Sequence, residues 1–138
     1  MRYRVITAIG LALLFFGLGS VGSAVELASS IQPQTYQGIS YLSGGIGEEE
    51  RDALRQMDRE YNVKLIFAAK DGVYVSNVNV TIEDGSGKKV LEAVSDGPWF
   101  YAKLPPGKYN VMAQVRGQTH KRVVEVGQQK QAQLQFSW

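Results

Sequence analysis

Cysteine is absent from the 138 residues of this chain. That excludes a disulfide scaffold, a thiol nucleophile, a thiolate metal site and a lipid-modified N-terminal cysteine. Histidine occurs once, as His120. A Ser-His-Asp arrangement or a His-rich metal site would have to be built around that single ring, and its neighbours Thr119, Lys121 and Arg122 place it on an exposed strand instead. An excess of charge is missing too. The net charge is +2, from 15 Lys+Arg against 13 Asp+Glu, and Arg2 and Arg4 lie in an N-terminal segment read below as removed, which leaves the remainder neutral. A nucleic-acid binder carries a strong basic excess, because phosphate contacts dominate its affinity, so nucleic acid is not expected as a partner.

Long apolar runs are also scarce. One extends from Val5 to Leu18, with Arg2 and Arg4 before it and the small residues Gly19-Ser20-Val21-Gly22-Ser23-Ala24 after it. A basic start, a short apolar stretch and a small-residue exit form the pattern of a secretory signal peptide, with Gly22 and Ala24 at positions −3 and −1 of a cut after Ala24. A spanning helix needs about 20 apolar residues; the alternative reading is an uncleaved N-terminal anchor. Export predicts a periplasmic or secreted chain without integral membrane insertion after cleavage, and one domain of ordinary size.

Beyond Ala24, residues 25–47 are rich in Ser, Gln and Gly without a sustained period and read as a flexible leader. Residues 48–61 differ. Ala53, Leu54, Met57 and Tyr61 recur at helical spacing among charged residues, which predicts a short amphipathic helix. Glu48, Glu49 and Glu50 fall in its first turn, where carboxylates complement the helix dipole. Consecutive carboxylates on a helix point about 100° apart and do not converge on one metal ion.

From Asn62 onward the period becomes two. Val63, Leu65 and Phe67 alternate with Asn62, Lys64 and Ile66; Val78, Val80 and Ile82 alternate with Asn77, Asn79 and Thr81; Tyr109, Val111, Ala113 and Val115 follow suit. The clearest case is Ala132, Leu134, Phe136 and Trp138 inward against Gln131, Gln133, Gln135 and Ser137. About seven short strands with Gly-rich turns such as Asp84-Gly85-Ser86-Gly87 predict a mainly β fold: a small antiparallel Greek-key β-sandwich over residues 62–138, preceded by one short amphipathic helix.

Val78 to Val90 forms a strand–turn–strand, an aromatic strand WFYAKL comes next, and Leu104, Pro106, Gly107, Tyr109 and Val111 then form an L-x-P-G-x-Y-x-V corner. Together these pieces resemble the carboxypeptidase regulatory-like domain, a family with a transthyretin-like (prealbumin-like) β-sandwich fold. The resemblance covers roughly residues 62–138. It implies a fold-stabilising or binding module of an exported bacterial protein and no catalysis. At the corner itself, Pro105 and Pro106 end one strand for want of N–H groups. Tyr109 begins the next in phase with the core, so its hydroxyl needs a nearby partner.

Trp99, Phe100 and Tyr101 are consecutive on a strand, so they cannot all point inward. The outward members either pack beneath the helix or, with Lys103, offer an interaction surface. Basic residues from Lys103 to Lys130 (Lys103, Lys108, Arg116, Lys121, Arg122, Lys130) face Glu125 alone, which reads either as solvated outer faces or as a site for an acidic ligand. Asp84 and Asp96 sit in turns, and neither DGSG nor SGGIG has the Lys-Ser/Thr of a P-loop. No catalytic residue, cofactor or metal ligand is expected. The expected role is a non-catalytic exported binding module whose partner is an envelope protein or glycan. The alternatives are a structural accessory subunit of a secretion, pilus or transport assembly, and a small outer-membrane barrel suggested by the terminal QAQLQFSW.

Overall fold

The computed structural model describes residues 31–138, so the signal-peptide reading and the first part of the leader lie outside the described residues. The elements are β1 (Gln34–Tyr36), β2 (Ile39–Gly44), α1 (Glu48–Met57), a 3-10 turn (Asp58–Glu60), β3 (Val63–Ala68), β4 (Val78–Asp84), β5 (Lys89–Ser95), β6 (Trp99–Ala102), β7 (Gly107–Val115), β8 (Gln118–Val126) and β9 (Ala132–Ser137). One sheet has the order β1-β2-β6-β3-β9 and the other β5-β4-β7-β8. The fold is a mainly β sandwich with one short helix. Among the described residues the two sheets do not close into a barrel, unlike the small outer-membrane barrel suggested by the terminal strand.

The alternating residues do what their period predicts. Val63, Leu65 and Phe67 of β3, Val78, Val80 and Ile82 of β4, and Val111 and Ala113 of β7 are all fully buried between the sheets. Asp84 closes the β4–β5 turn by accepting from the amides of Ser86 (2.9 Å) and Lys88 (3.0 Å) and from the Ser86 hydroxyl (2.6 Å). The Ser86 hydroxyl, and then the Lys88 amide, hold its pKa below the usual carboxylate value. At the corner, Tyr109 donates to the Pro105 carbonyl at 2.6 Å, the partner its buried ring requires.

Three features depart from the sequence-based expectation. Part of the presumed leader forms strands: β1 and β2 make a hairpin through Gln37 and Gly38, both at positive φ (46° and 85°), and β2 pairs antiparallel with β6. Strand β2 reads ISYLSG, and its apolar residues go to opposite faces: Leu42 sits under the helix, while Tyr41 stacks on Phe100 with ring centres 5.5 Å apart. No single-faced alternation results. Second, β3 and β9 pair in parallel, because the chain leaves the other sheet after β8, crosses through residues 127–131 and enters alongside β3. Third, His120 is half-buried rather than exposed. It meets Trp138 edge-on at 5.1 Å, so it closes the sandwich edge.

The β2 terminus and the β5–β6 connection approach so closely that a side chain cannot fit between them. A Cβ at Gly97 would lie 2.3 Å from the Gly44 carbonyl oxygen, whereas at Gly85 the nearest atom would be 3.8 Å away. Gly97→Ala is therefore expected to cost at least about 2 kcal/mol and lower the thermal midpoint by roughly 8 °C or more. Gly85→Ala should stay within about 1 kcal/mol of the parent. Equal melting curves for the two variants would refute the close approach.

Candidate functional site

The aromatic strand is covered on both sides. Phe100 points between the sheets, while Trp99 and Tyr101 point outward beneath α1; Trp99 is 5% exposed and the other two 0%. The helix supplies Leu54, fully buried, with Ala53 and Met57 at its flank, and Ile31, Leu42 and Tyr61 complete this second core. Trp99, Phe100 and Tyr101 are therefore not an interaction surface. Of the four residues proposed for one, Lys103 alone is exposed.

Among the described residues, two polar atoms in this seam have no hydrogen-bond partner, the Trp99 Nε1 and the Tyr101 hydroxyl. Cations lie over the rings instead. Lys64 Nζ stands 4.2 Å from the Trp99 ring centre and 5.4 Å from that of Tyr101, and the Arg55 guanidinium lies 5.3 Å over Trp99. Such contacts are worth about 0.5–1 kcal/mol when exposed and more when desolvated. Burial lowers the Lys64 pKa against the opposing attraction of Asp58. Burial, helped by the Asp58 charge, raises that of Tyr101 well above the ordinary phenol.

At the far end of α1 the same sheet opens into a cleft of about 1180 Å³. Its walls come from residues 38–40 of the β1–β2 hairpin, residues 58–62 after the helix, the 103–106 corner and the 127–131 crossover. Fixed side chains hold these segments. Asn62 donates from Nδ2 to the Leu104 carbonyl (2.6 Å) and accepts from the Leu104 amide (2.9 Å), so one side chain acts as a rung between β3 and the corner. Gln131 Nε2 reaches the Asp58 carboxylate, the Asp58 carbonyl and the Tyr61 carbonyl, sharing its two hydrogens among three acceptors. The Tyr61 and Ser40 hydroxyls lie 3.3 Å apart. These bonds, all within the chain, form the floor of the cleft.

The rim carries Arg59, Lys103 and Lys130, with Asp58 and Glu60 as the acids. Among the described residues the ion pairs are Arg55–Asp52 and Lys89–Glu92, so these three cations are free to meet a ligand. The basic stretch noted in the sequence is thus divided. Lys103 and Lys130 reach the cleft, whereas Arg116 lies in the β7–β8 turn, and Arg122 covers Phe136 at 5.9 Å and donates to the Gln135 carbonyl. Arg59, Asn62 and Gln131 carry no motif of their own. Asn62 and Gln131, each directly before a strand, were the available signals, and each is ordinary taken singly. No nucleophile is paired with a base in this cleft, and its groups are those of hydrogen-bonding and ionic recognition. Compared with models of protein families and with curated proteins, the chain matches none.

Two outcomes test the seam. Leu54→Ala should cost about 2–5 kcal/mol, as for other fully buried leucines, and shift tryptophan emission to the red as Trp99 meets water; an unchanged melting curve would refute the helix cover. Tyr101→Phe tests the unpartnered hydroxyl. A raised folded pKa means that stability is fully present below the unfolded tyrosine value near 10 and is lost as pH climbs above it. The variant should match or exceed the parent at neutral pH and lose less stability in alkali; destabilisation at neutral pH would mean that the hydroxyl has a partner after all.

Proposed function

We propose that the chain is a non-catalytic binding module exported to the cell envelope, periplasmic or secreted, and that it holds its partner in the cleft between α1, the proline corner and the 127–131 crossover. The observation that carries this reading is the prebuilt floor: Asn62, Gln131 and Tyr61 tie four remote segments around an open space rimmed by unpaired cations. Binding to a preformed site avoids the ordering cost that a loose loop would incur. The N-terminal pattern of Arg2, Arg4 and the Val5–Leu18 run supports export. The L-x-P-G-x-Y-x-V corner supports a carboxypeptidase regulatory-like, transthyretin-like domain, which on this reading works as a binding unit without cofactor or metal. Its partner is an envelope protein or glycan.

The accessory-subunit alternative gains nothing from the helix, because α1 spends its apolar face on the chain's own sheet. The test is capture from envelope extract by the exported protein, alongside Arg59→Glu and Lys103→Glu. The parent should retain an envelope component that both variants release, with circular dichroism unchanged. Equal capture by all three proteins would refute the cleft as the binding site.

A further inference from the structure

The end of the helical layer opposite the cleft carries exposed acids, where the cleft rim carries more bases than acids. Three large apolar side chains are exposed there: Ile46 (62%), Val73 (62%) and Tyr74 (49%). They are one surface, because Arg51 donates to the Gly45 carbonyl at 2.9 Å and lays its guanidinium 5.6 Å over the Tyr74 ring. Exposed Glu48, Glu49 and Asp71 border it, against Arg51 within it and Lys70 beside it. Helix polarity explains the sign: the first turn of α1 carries the acids that its dipole favours, and the chain past its last turn carries Arg59.

Topology fixes where these features lie. Helix α1 runs from Glu48 toward the cleft, where Asp58 is part of the wall, and β3 runs back from Val63 to Ala68, which bridges to Tyr74. The apolar, acid-bordered knob and the basic cleft are thus at opposite ends of one layer and cannot meet within one molecule. The cleft also offers apolar contact, through Ile39, Pro105 and Pro106, for a side chain such as Ile46.

We infer that the cleft of one molecule takes the Ile46–Glu49 knob of a second copy of this chain, a head-to-tail contact that leaves a free knob and a free cleft at either end. This rests on the reading of the cleft as the binding site. A heterologous contact of this kind builds an open chain of molecules unless its rotation closes a ring. A contact made by one loop in one cleft falls in the class below about 1,200 Å², which is usually weak, so assembly should depend on concentration and on salt, since exposed charges are screened beyond about 8 Å at physiological ionic strength.

The test is sedimentation equilibrium on protein purified from the exporting cell. The weight-average mass should rise past that of a dimer with increasing concentration and fall when salt is raised. Lys103→Glu with Lys130→Glu makes both ends acidic, and Glu48→Lys with Glu49→Lys makes both basic. Each variant alone should lose association. An equimolar mixture should regain it, because every interface then pairs opposite charges. All four side chains are exposed, and circular dichroism checks that the variants fold. A parent that stays monomeric, a dimer indifferent to these substitutions, or a mixture that fails to recover would overturn the proposal. A monomer whose Lys103→Glu variant still releases its envelope component would overturn self-assembly alone and leave the binding reading standing.

Discussion

Trp99, Phe100 and Tyr101 follow one another on a strand, and a pleated strand must send them to opposite faces. The whole of β6 is buried, in the middle of its sheet between β2 and β3. That placement requires a layer on each side, the second sheet over Phe100 and the helix over Trp99 and Tyr101. Magnitudes decide whether the outer cover is worthwhile. Burying an aromatic side chain removes about 150–250 Å² from water, roughly 4–6 kcal/mol each at about 25 cal/mol per Å². The two unpartnered polar atoms cost about 1–3 kcal/mol each. Apolar burial exceeds that penalty, and the cations over the ring faces add to it. The helix is therefore part of the domain core.

The same economy of contacts explains why one end stays open. Irregular segments usually satisfy their backbone groups by packing against each other or by meeting water. Here Asn62 takes both backbone groups of Leu104, Tyr109 takes the Pro105 carbonyl, and Gln131 takes those of Asp58 and Tyr61. Single side chains serve as rungs, and the segments they hold need not collapse onto one another. A cleft with a rigid floor follows from polar satisfaction, with no need for a binding event to shape it.

Much of the fold was legible in the sequence for an identifiable reason. Strands β4, β7 and β9 each bury one face, and β3 buries Val63, Leu65 and Phe67 most deeply, so their apolar residues fall at period two. The helix was legible because one stripe of it is apolar, and the corner because proline and glycine restrict the backbone by chemistry alone. Strand β2 was not, since Leu42 and Tyr41 are buried on opposite faces and its partner β6 lies far along the chain. Nor was the direction of β9: alternation is the same whichever way a strand runs, and only the crossover decides. The candidate surface of Trp99, Phe100 and Tyr101 failed because exposure depends on what another segment places above a strand. The cleft was illegible as a site because its four segments are joined by Asn62 and Gln131, residues common in any loop.

Edges constrain recognition as much as clefts do. A bare strand edge invites another chain to add to it, yet β1 lies against β5 and β8 against β9 at the two sides of the sandwich. The β8–β9 side is tied further: Arg122 donates to the Gln135 carbonyl, and Trp138 Nε1 to that of Gln118, each at 3.2 Å. Strand β1 is short and follows Pro33, and β5 carries Lys89 and Glu92 with a register shift opposite Ile82 and Glu83. These are the devices that discourage strand addition. With the sides closed to strand addition, a partner must bind by side-chain contacts rather than by extending a sheet, and the ends of the sandwich, where loops converge, hold both the cleft and the exposed Ile46, Val73 and Tyr74.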